Sequence, residues 1–384
     1  MEIVKENAPH LRRRDNLSIM MLDVIIALLP TIIFTFVVFK LSALRNILIS
    51  AATMILCEIV FVLIKSKPAY DGKKHEAKEL FENFKKSFSI NNILVPLVSA
   101  LIFALIMPAE TDPTYMIYPV LIIGSIFGMV VGKLIFGGTG KNIFNPAAVG
   151  MCFVKLCFGS TFRCPENNYY PSYTAGATGT EVTTGSTALP YINFAEGTFD
   201  LSHYSLFDLF LGKVPGLIGE ICKVTILVGL VYLIIRRAID WVIPLTILGT
   251  FFLDMLLVGL LSYCGTVEGM KQNPFSFAAY ELLSGGLIFG ATFMATDPVT
   301  APITRPAKVM YAALLGATTA IIRLFAALPE GVVYAILIAN VFTSVFDYYK
   351  WSKEEFNWKN ITAIASLILV PMLIIVWATC VRVF

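Results

Sequence analysis

Residues 22–39 read LDVIIALLPTIIFTFVVF, 18 residues in which Asp23 is the one charge. A helix of that length rises about 27 Å, close to the roughly 30 Å of a bilayer's hydrocarbon core. A second run, 45–64 (RNILISAATMILCEIVFVLI), follows almost at once. The same pattern predicts further spans at about Asn91–Met107, Met116–Phe136 and Phe144–Phe158, and then, beyond a long polar segment, at Leu217–Ile235, Trp241–Leu261, Phe277–Ala295, Val309–Leu328, Val332–Phe346 and Ile361–Val381. The expected fold is all-α: a polytopic membrane protein of ten or eleven transmembrane helices. The short runs after Asn145 and before Asp297 are the candidates for re-entrant segments.

Composition agrees. The 384 residues are 57% hydrophobic and 14% charged, against roughly a quarter charged in soluble domains. The first 21 residues are polar and basic, and the apolar run after them is too long for a signal-peptide core, so it reads as a retained first span. No stretch interleaves basic and aromatic residues, which argues against nucleic acid as a partner. The seven cysteines form no CxxC and no Cys/His cluster, leaving this chain no four-ligand metal site of its own. No histidine lies in a span, against haem ligated within the bilayer. P-loop, GxGxxG and Ser/His/Asp patterns are absent as well.

With the N-terminus in the cytoplasm, the inside segments hold 20 of the 29 Lys and Arg residues, and the bias alternates loop by loop as the positive-inside rule requires. The organisation expected is a cytoplasmic segment 1–21, a first membrane half 22–158, an extracytoplasmic loop 159–216 and a second half 217–384. Within the first half, 73–90 places Leu80, Phe81, Phe84 and Phe88 at helical spacing among lysines, as in an amphipathic helix lying on the inner leaflet or docked on a partner.

Two stretches echo each other. FGGTGKNIFNPAAVG (136–150) and FGATFMATDPVTAPIT (289–304) each follow an apolar run with glycines and then Asn-Pro or Asp-Pro. Gly/Pro-interrupted segments in two halves mark broken helices around a central site, which predicts a two-half repeat. Asn142 and Asn145, three apart, would share one side of a helical turn, and Asp297 closes the matching segment. Helix capping ahead of proline is the plainer use of the Asn-Pro and Asp-Pro pairs. Charges within the spans are costly and face a bundle interior. Asp23, Glu220, Lys223 and Glu281 lie near span ends, where snorkelling relieves them, whereas Glu58, Asp254 and Arg323 need partners. Ion pairing and a cation path both suit these residues, with Glu58, Asp254, Glu281 and the interfacial Asp347 as candidates for a path.

The outer loop contains PSYTAGATGTEVTTGSTALPYINFAEG (171–197), whose composition alone reads as a flexible polar loop. Within it Thr184-Gly185-Ser186-Thr187-Ala188-Leu189 resembles the flavinylation motif of the RnfD family, which takes in the corresponding membrane subunit of the sodium-translocating NADH:quinone oxidoreductase. The resemblance extends in order through FGGTGKNIFNPAAVG, LGKVPGLIGE, LLSGGLIFGATFMATDPVTAPIT and PEGVVYAILIANVFTSVFDYY. It implies FMN joined to Thr187 by a phosphoester, placed there by a flavin transferase. Ser186 departs from the family's usual Ala. Thr178, in TAGAT, is the rival acceptor, but Ala precedes its Gly-Ala-Thr where the family has Ser or Thr. The resemblance further implies a non-covalent riboflavin near Asn142, Asn145 and Asp297 on the cytoplasmic side and a bundle like that of urea transporters. The function expected is a flavin-carrying subunit of an ion-translocating ferredoxin:NAD+ oxidoreductase (Rnf) complex, coupled to Na+ or H+. Its partners would be a second flavin subunit and iron–sulfur subunits. A transporter, channel or scaffold without redox chemistry is the competing reading.

Overall fold

The computed structural model describes residues 17–67, 77–109, 114–159, 192–193, 198–199, 205–214, 216–263, 273–326, 331–348 and 356–382. The flavinylation tract and both candidate acceptors, Thr187 and Thr178, lie outside the described residues. Apart from one antiparallel pairing of Ile192–Asn193 with Thr198–Phe199, regular structure there is helical. The first half comprises α1 (Leu17–Phe39), α2 (Leu41–Lys65), α3 (Ala77–Ser87), α4 (Asn91–Leu105), α5 (Ile117–Met129, continued by a π-turn over Val130–Leu134) and α6 (Pro146–Phe158). A short α7 (Leu206–Leu211) leads to the second half: α8 (Lys223–Ile235), α9 (Val242–Leu261), α10 (Pro274–Leu283), α11 (Leu287–Phe289, continued by a π-turn over Gly290–Met294), α12 (Arg305–Phe325), α13 (Val332–Phe346) and α14 (Trp358–Arg382).

Among the described residues, six helices are singly long and apolar enough to cross a membrane, and the bent pairs α3–α4 (66°) and α10–α11 (62°) raise the number to eight. Three shorter apolar helices, α6, α8 and α13, complete the bundle. The protein is a multi-pass membrane protein. The expected span at Leu217 begins only at Lys223, because 217–222 forms a turn whose Ile218 and Gly219 N–H groups donate to the carbonyls of Met107 and Leu105. The expected span Phe277–Ala295 is broken: Ser284-Gly285-Gly286 leaves the helix, and α11 restarts at an angle.

The packing has a twofold logic. α2 packs on α4 and α5, as α9 packs on α10 and α12; α5 packs on α6, as α12 packs on α13; and α1 packs on α8 across the junction. The halves run in opposite senses. Asp23, early in α1, accepts hydrogen bonds from Tyr232 Oη (3.0 Å) and Arg236 Nε (3.1 Å) at the end of α8. In this bundle the end at which α1 starts is the proximal end. The links 136–145 and 295–304 both lie there: Asn145 hydrogen-bonds to Met294, and Asp347 hydrogen-bonds to Ile303 and Thr304. In an inverted repeat, equivalent loops fall at opposite ends. The two stretches that echo in sequence are therefore not equivalents, since one joins α5 to α6 and the other α11 to α12. Matching Gly/Pro chemistry arose at two different positions that face each other.

Close approach of α6 to α5 is set by small residues. A Cβ at Gly128 would stand 2.6 Å from the Pro146 carbonyl oxygen, and one at Gly132 would stand 2.9 Å from Pro146 Cα. In lipid, where burial of apolar surface does not drive helices together, such backbone contact supplies the association. Replacing Gly128 by Leu is expected to push the start of α6 off α5 and to destabilise the protein by about 1–3 kcal/mol, the usual range for overpacking. Thermal unfolding in detergent, with the outward-facing Ile126→Leu as the control that stays at the parental midpoint, checks this.

Candidate functional site

Where the two proximal breaks meet, the bundle forms a cavity open at its mouth. Most of its wall is apolar, with Met20, Met21 and Val24 from α1, Val98 and Ile102 from α4, Leu233 from α8 and Phe293 from the second π-turn. The polar lining is Ser99, Lys133, Thr139, Asn142, Asn145, Thr292, Thr296 and Asp297. The three residues singled out in the sequence thus converge on one space, from links more than 150 positions apart in the case of Asn142 and Asp297.

Each is held differently. Asn145 is the N-cap of α6: its Oδ1 accepts from the N–H groups of Ala147 (3.0 Å) and Ala148 (3.4 Å), and its Nδ2 donates to the carbonyl of Met294 (3.2 Å). Proline at the next position keeps Asn145 extended, at φ −68° and ψ 121°. The expected shared helical turn for Asn142 and Asn145 is thereby excluded, although both still line the cavity. Asn142 Nδ2 donates to the Phe144 carbonyl (3.2 Å). Asp297 Oδ1 accepts from the Val299 N–H (3.2 Å), folding the link back on itself after the second π-turn. Capping is therefore a real use of Asn145, and both polar atoms of its amide are bonded to protein.

Two lining residues escaped the sequence reading. Thr139 sits in a tight link whose Gly137, Gly138 and Gly140 adopt φ of +108°, +91° and +85°, backbone that side-chain-bearing residues rarely enter. Its buried hydroxyl has no hydrogen-bond partner among the described residues. Lys133, near the end of the expected span Met116–Phe136, counts in the sequence among the inside basic residues. It lies instead inside the first π-turn, 1% exposed, with Nζ 3.0 Å from Glu58 Oε2. Glu58 Oε1 accepts from Asn92 Nδ2 (3.2 Å), so α2, α4 and α5 are joined through one carboxylate. The cavity wall at Ala238 and Ile239 is tied down by the neighbouring Asp240, 2.9 Å from Lys308 Nζ. Partial burial alone would raise the Asp240 pKa; the Lys308 hydrogen bond, with the Val242 N–H, holds the carboxyl below its usual range.

A sequence profile of the NQR2, RnfD, RnfE family matches residues 4–355. The chain belongs to this family. A relative from Chromohalobacter salexigens, named as a subunit of a Na(+)-translocating NADH-quinone reductase, is 38% identical over 255 residues, 66% of this chain and 57% of the relative; the chain thus spans a little over half of that protein's length. From Acetobacterium woodii, a subunit of a Na(+)-translocating ferredoxin:NAD(+) oxidoreductase complex is 29% identical over 92% of this chain and 95% of its own. The proton-translocating counterpart from Clostridium ljungdahlii is 28% identical, over 89% and 93%. These relatives are subunits of ion-translocating oxidoreductase complexes.

The other charged residues singled out in the sequence are placed as follows. Asp23 and Glu281 do not snorkel. Asp23 is buried against Arg236, and Glu281 is 3% exposed with Arg323 Nη1 3.4 Å from its carboxylate. Arg323 also donates to the carbonyls of Glu281 (2.7 Å) and Ser284 (3.3 Å), while Lys223 donates to that of Gly285 (2.7 Å), so two cations cover the break between α10 and α11. Asp347 accepts from the Ile303 and Thr304 N–H groups (3.0 and 3.3 Å), clamping the second proximal link. Asp254 is buried in α9, away from the cavity, and its Oδ2 has no hydrogen-bond partner among the described residues.

Asn145→Ala removes both the cap and the bond to Met294. The expected cost is about 2–4 kcal/mol, from a lost cap of roughly 1 kcal/mol and a buried carbonyl left unmatched at roughly 1–3 kcal/mol. Asn145→Asp keeps the cap acceptor but cannot donate to Met294, so its unfolding midpoint should fall between those of the parent and the alanine variant.

Proposed function

We propose that this chain is the flavin-carrying membrane subunit of an ion-translocating ferredoxin:NAD(+) oxidoreductase complex, with a riboflavin in the proximal cavity and FMN esterified to Thr187 on the other side of the membrane. The observation that carries the reading is the cavity between the two breaks. Its apolar walls would cover the faces of a tricyclic ring, and the Thr139 hydroxyl, unmatched among the described residues, Lys133 and the Asn142 amide offer hydrogen bonds to its polar edge. A flavin bound there supplies one- and two-electron chemistry. The chain's own residues exclude water, orient the ring and fix the local charge.

Near full-length alignment with the two ferredoxin-type relatives supports that type over the quinone reductase, whose subunit is matched over 57% of its length. Those two relatives are named for different ions at almost the same identity, so likeness to them is neutral between Na+ and H+. The charge bias supports a cytoplasmic proximal end, to which Lys65, Lys141, Arg236, Arg237, Arg305 and Lys308 belong. Loop 159–216 and Thr187 then face outward, and the two flavins would put carriers on both sides of the bilayer. Nucleotide and cluster chemistry at either end of the path falls to partner subunits, among them a second flavin subunit and iron–sulfur subunits. Of the four acids considered for a cation path, Glu58, Glu281 and Asp347 are engaged in the contacts above, and Asp254 remains as the one to pursue.

Co-production of the full chain with a flavin transferase tests the reading. The parent should give a fluorescent band on a denaturing gel under ultraviolet light, Thr178→Ala should give the same, and Thr187→Ala should be dark. Acid extraction of all three should release riboflavin. A bright Thr187→Ala band would defeat the assigned acceptor, and acid extracts empty of flavin would defeat the cavity assignment.

A further inference from the structure

We propose that Lys133, held in place by Glu58, sets the reduction potential of the flavin in the proximal cavity; this rests on the reading of the cavity as a flavin site. Two buried ion pairs in the described residues join helices of one half, Lys133–Glu58 and Arg323–Glu281, with side chains no more than 4% exposed. Of the two, Lys133–Glu58 alone contributes a lining residue. A pair needed only to fasten helices has no reason to face a cavity, and apolar residues of similar volume fasten helices as well or better.

The local backbone is arranged to set Lys133 on the cavity wall. The π-turn closes with the Ile135 N–H on the Val130 carbonyl and the Gly138 N–H on that of Lys133. Such an insertion rotates the following side chains relative to the α-helical register, and π-turns are concentrated at functional sites. Behind the ammonium, Glu58 is fixed by Asn92, whose own Oδ1 accepts from the Ser89 N–H (2.9 Å). The charge therefore has one position and no bulk water to screen it. A ring that gains an electron beside a fixed, buried cation is stabilised in its reduced form, and the carboxylate behind the cation offsets part of that effect. Asp297, also on the wall, opposes it in the same sense as Glu58.

The test is a reductive titration, followed by visible absorbance, of the full-length chain carrying Thr187→Ala, in which the non-covalent flavin is the one that absorbs. Glu58→Gln should raise the midpoint potential, Lys133→Met should lower it, and Lys133→Arg should stay near the parent. The double variant Glu58→Gln/Lys133→Met, which restores neutrality at the pair, should fall between the two single variants. Flavin retained with unmoved potentials in Glu58→Gln and Lys133→Met overturns the proposal and leaves the flavin site standing. Should Lys133→Met fail to fold, an unmoved Glu58→Gln suffices to overturn it. A Thr187→Ala parent without flavin instead removes the site itself.

Discussion

Asn145 donates one hydrogen bond across the proximal end of the bundle, to the carbonyl of Met294, while its other amide atom caps α6. Two broken segments from opposite halves are thereby held face to face. The carbonyl it meets belongs to the second π-turn, which has left the α-helical ladder. In hydrocarbon an unmatched backbone group costs several kcal/mol, so irregular backbone survives at this depth only with such partners. The cavity exists because the breaks face each other, and the breaks are tolerated because Asn145 and its neighbours satisfy them.

The same constraint explains where the charges went. Each half ties its fourth span through a buried cation, Lys133 in the π-turn that continues α5 and Arg323 in α12, at opposite ends of an inverted architecture. At the distal break, Arg323 and Lys223 meet the carbonyls of Ser284 and Gly285. At the proximal one, the Asn145 amide and the Asp297 and Asp347 carboxylates meet the backbone, and the Thr139 hydroxyl has no partner among the described residues. The two ends are thus satisfied differently: cations meet carbonyls at the distal break, whereas carboxylates and an amide meet the backbone at the proximal one.

Much of this was legible in the sequence. Apolar runs are dictated by the thickness of the bilayer, so α13 lies where periodicity and length placed it, at Val332–Phe346. Asn142, Asn145 and Asp297 stood out because amides and carboxylates beside Gly and Pro in apolar surroundings are rare without a task. Lys133 did not, because a lysine near a span end counts equally well as a solvated charge, and only the π-turn draws it inward; the glycines at 124, 128 and 132 that precede it were the available signal. Thr139 was hidden by its glycine neighbours, whose positive φ is a property of the folded link. The misread pairing of the two Gly/Pro stretches has a similar cause. Composition reports the chemistry of a break, whereas equivalence in a repeat depends on which helices flank it.

A flavin framed by both halves of the bundle should be visible in an electron cryomicroscopy map of the native complex in lipid. Planar tricyclic density is expected between the 137–145 link and the 295–299 turn, its polar edge towards Thr139 and Lys133. Density of an acyl chain there, or a cavity collapsed with Thr139 bonded to protein, would contradict the assignment of the proximal cavity as a flavin site.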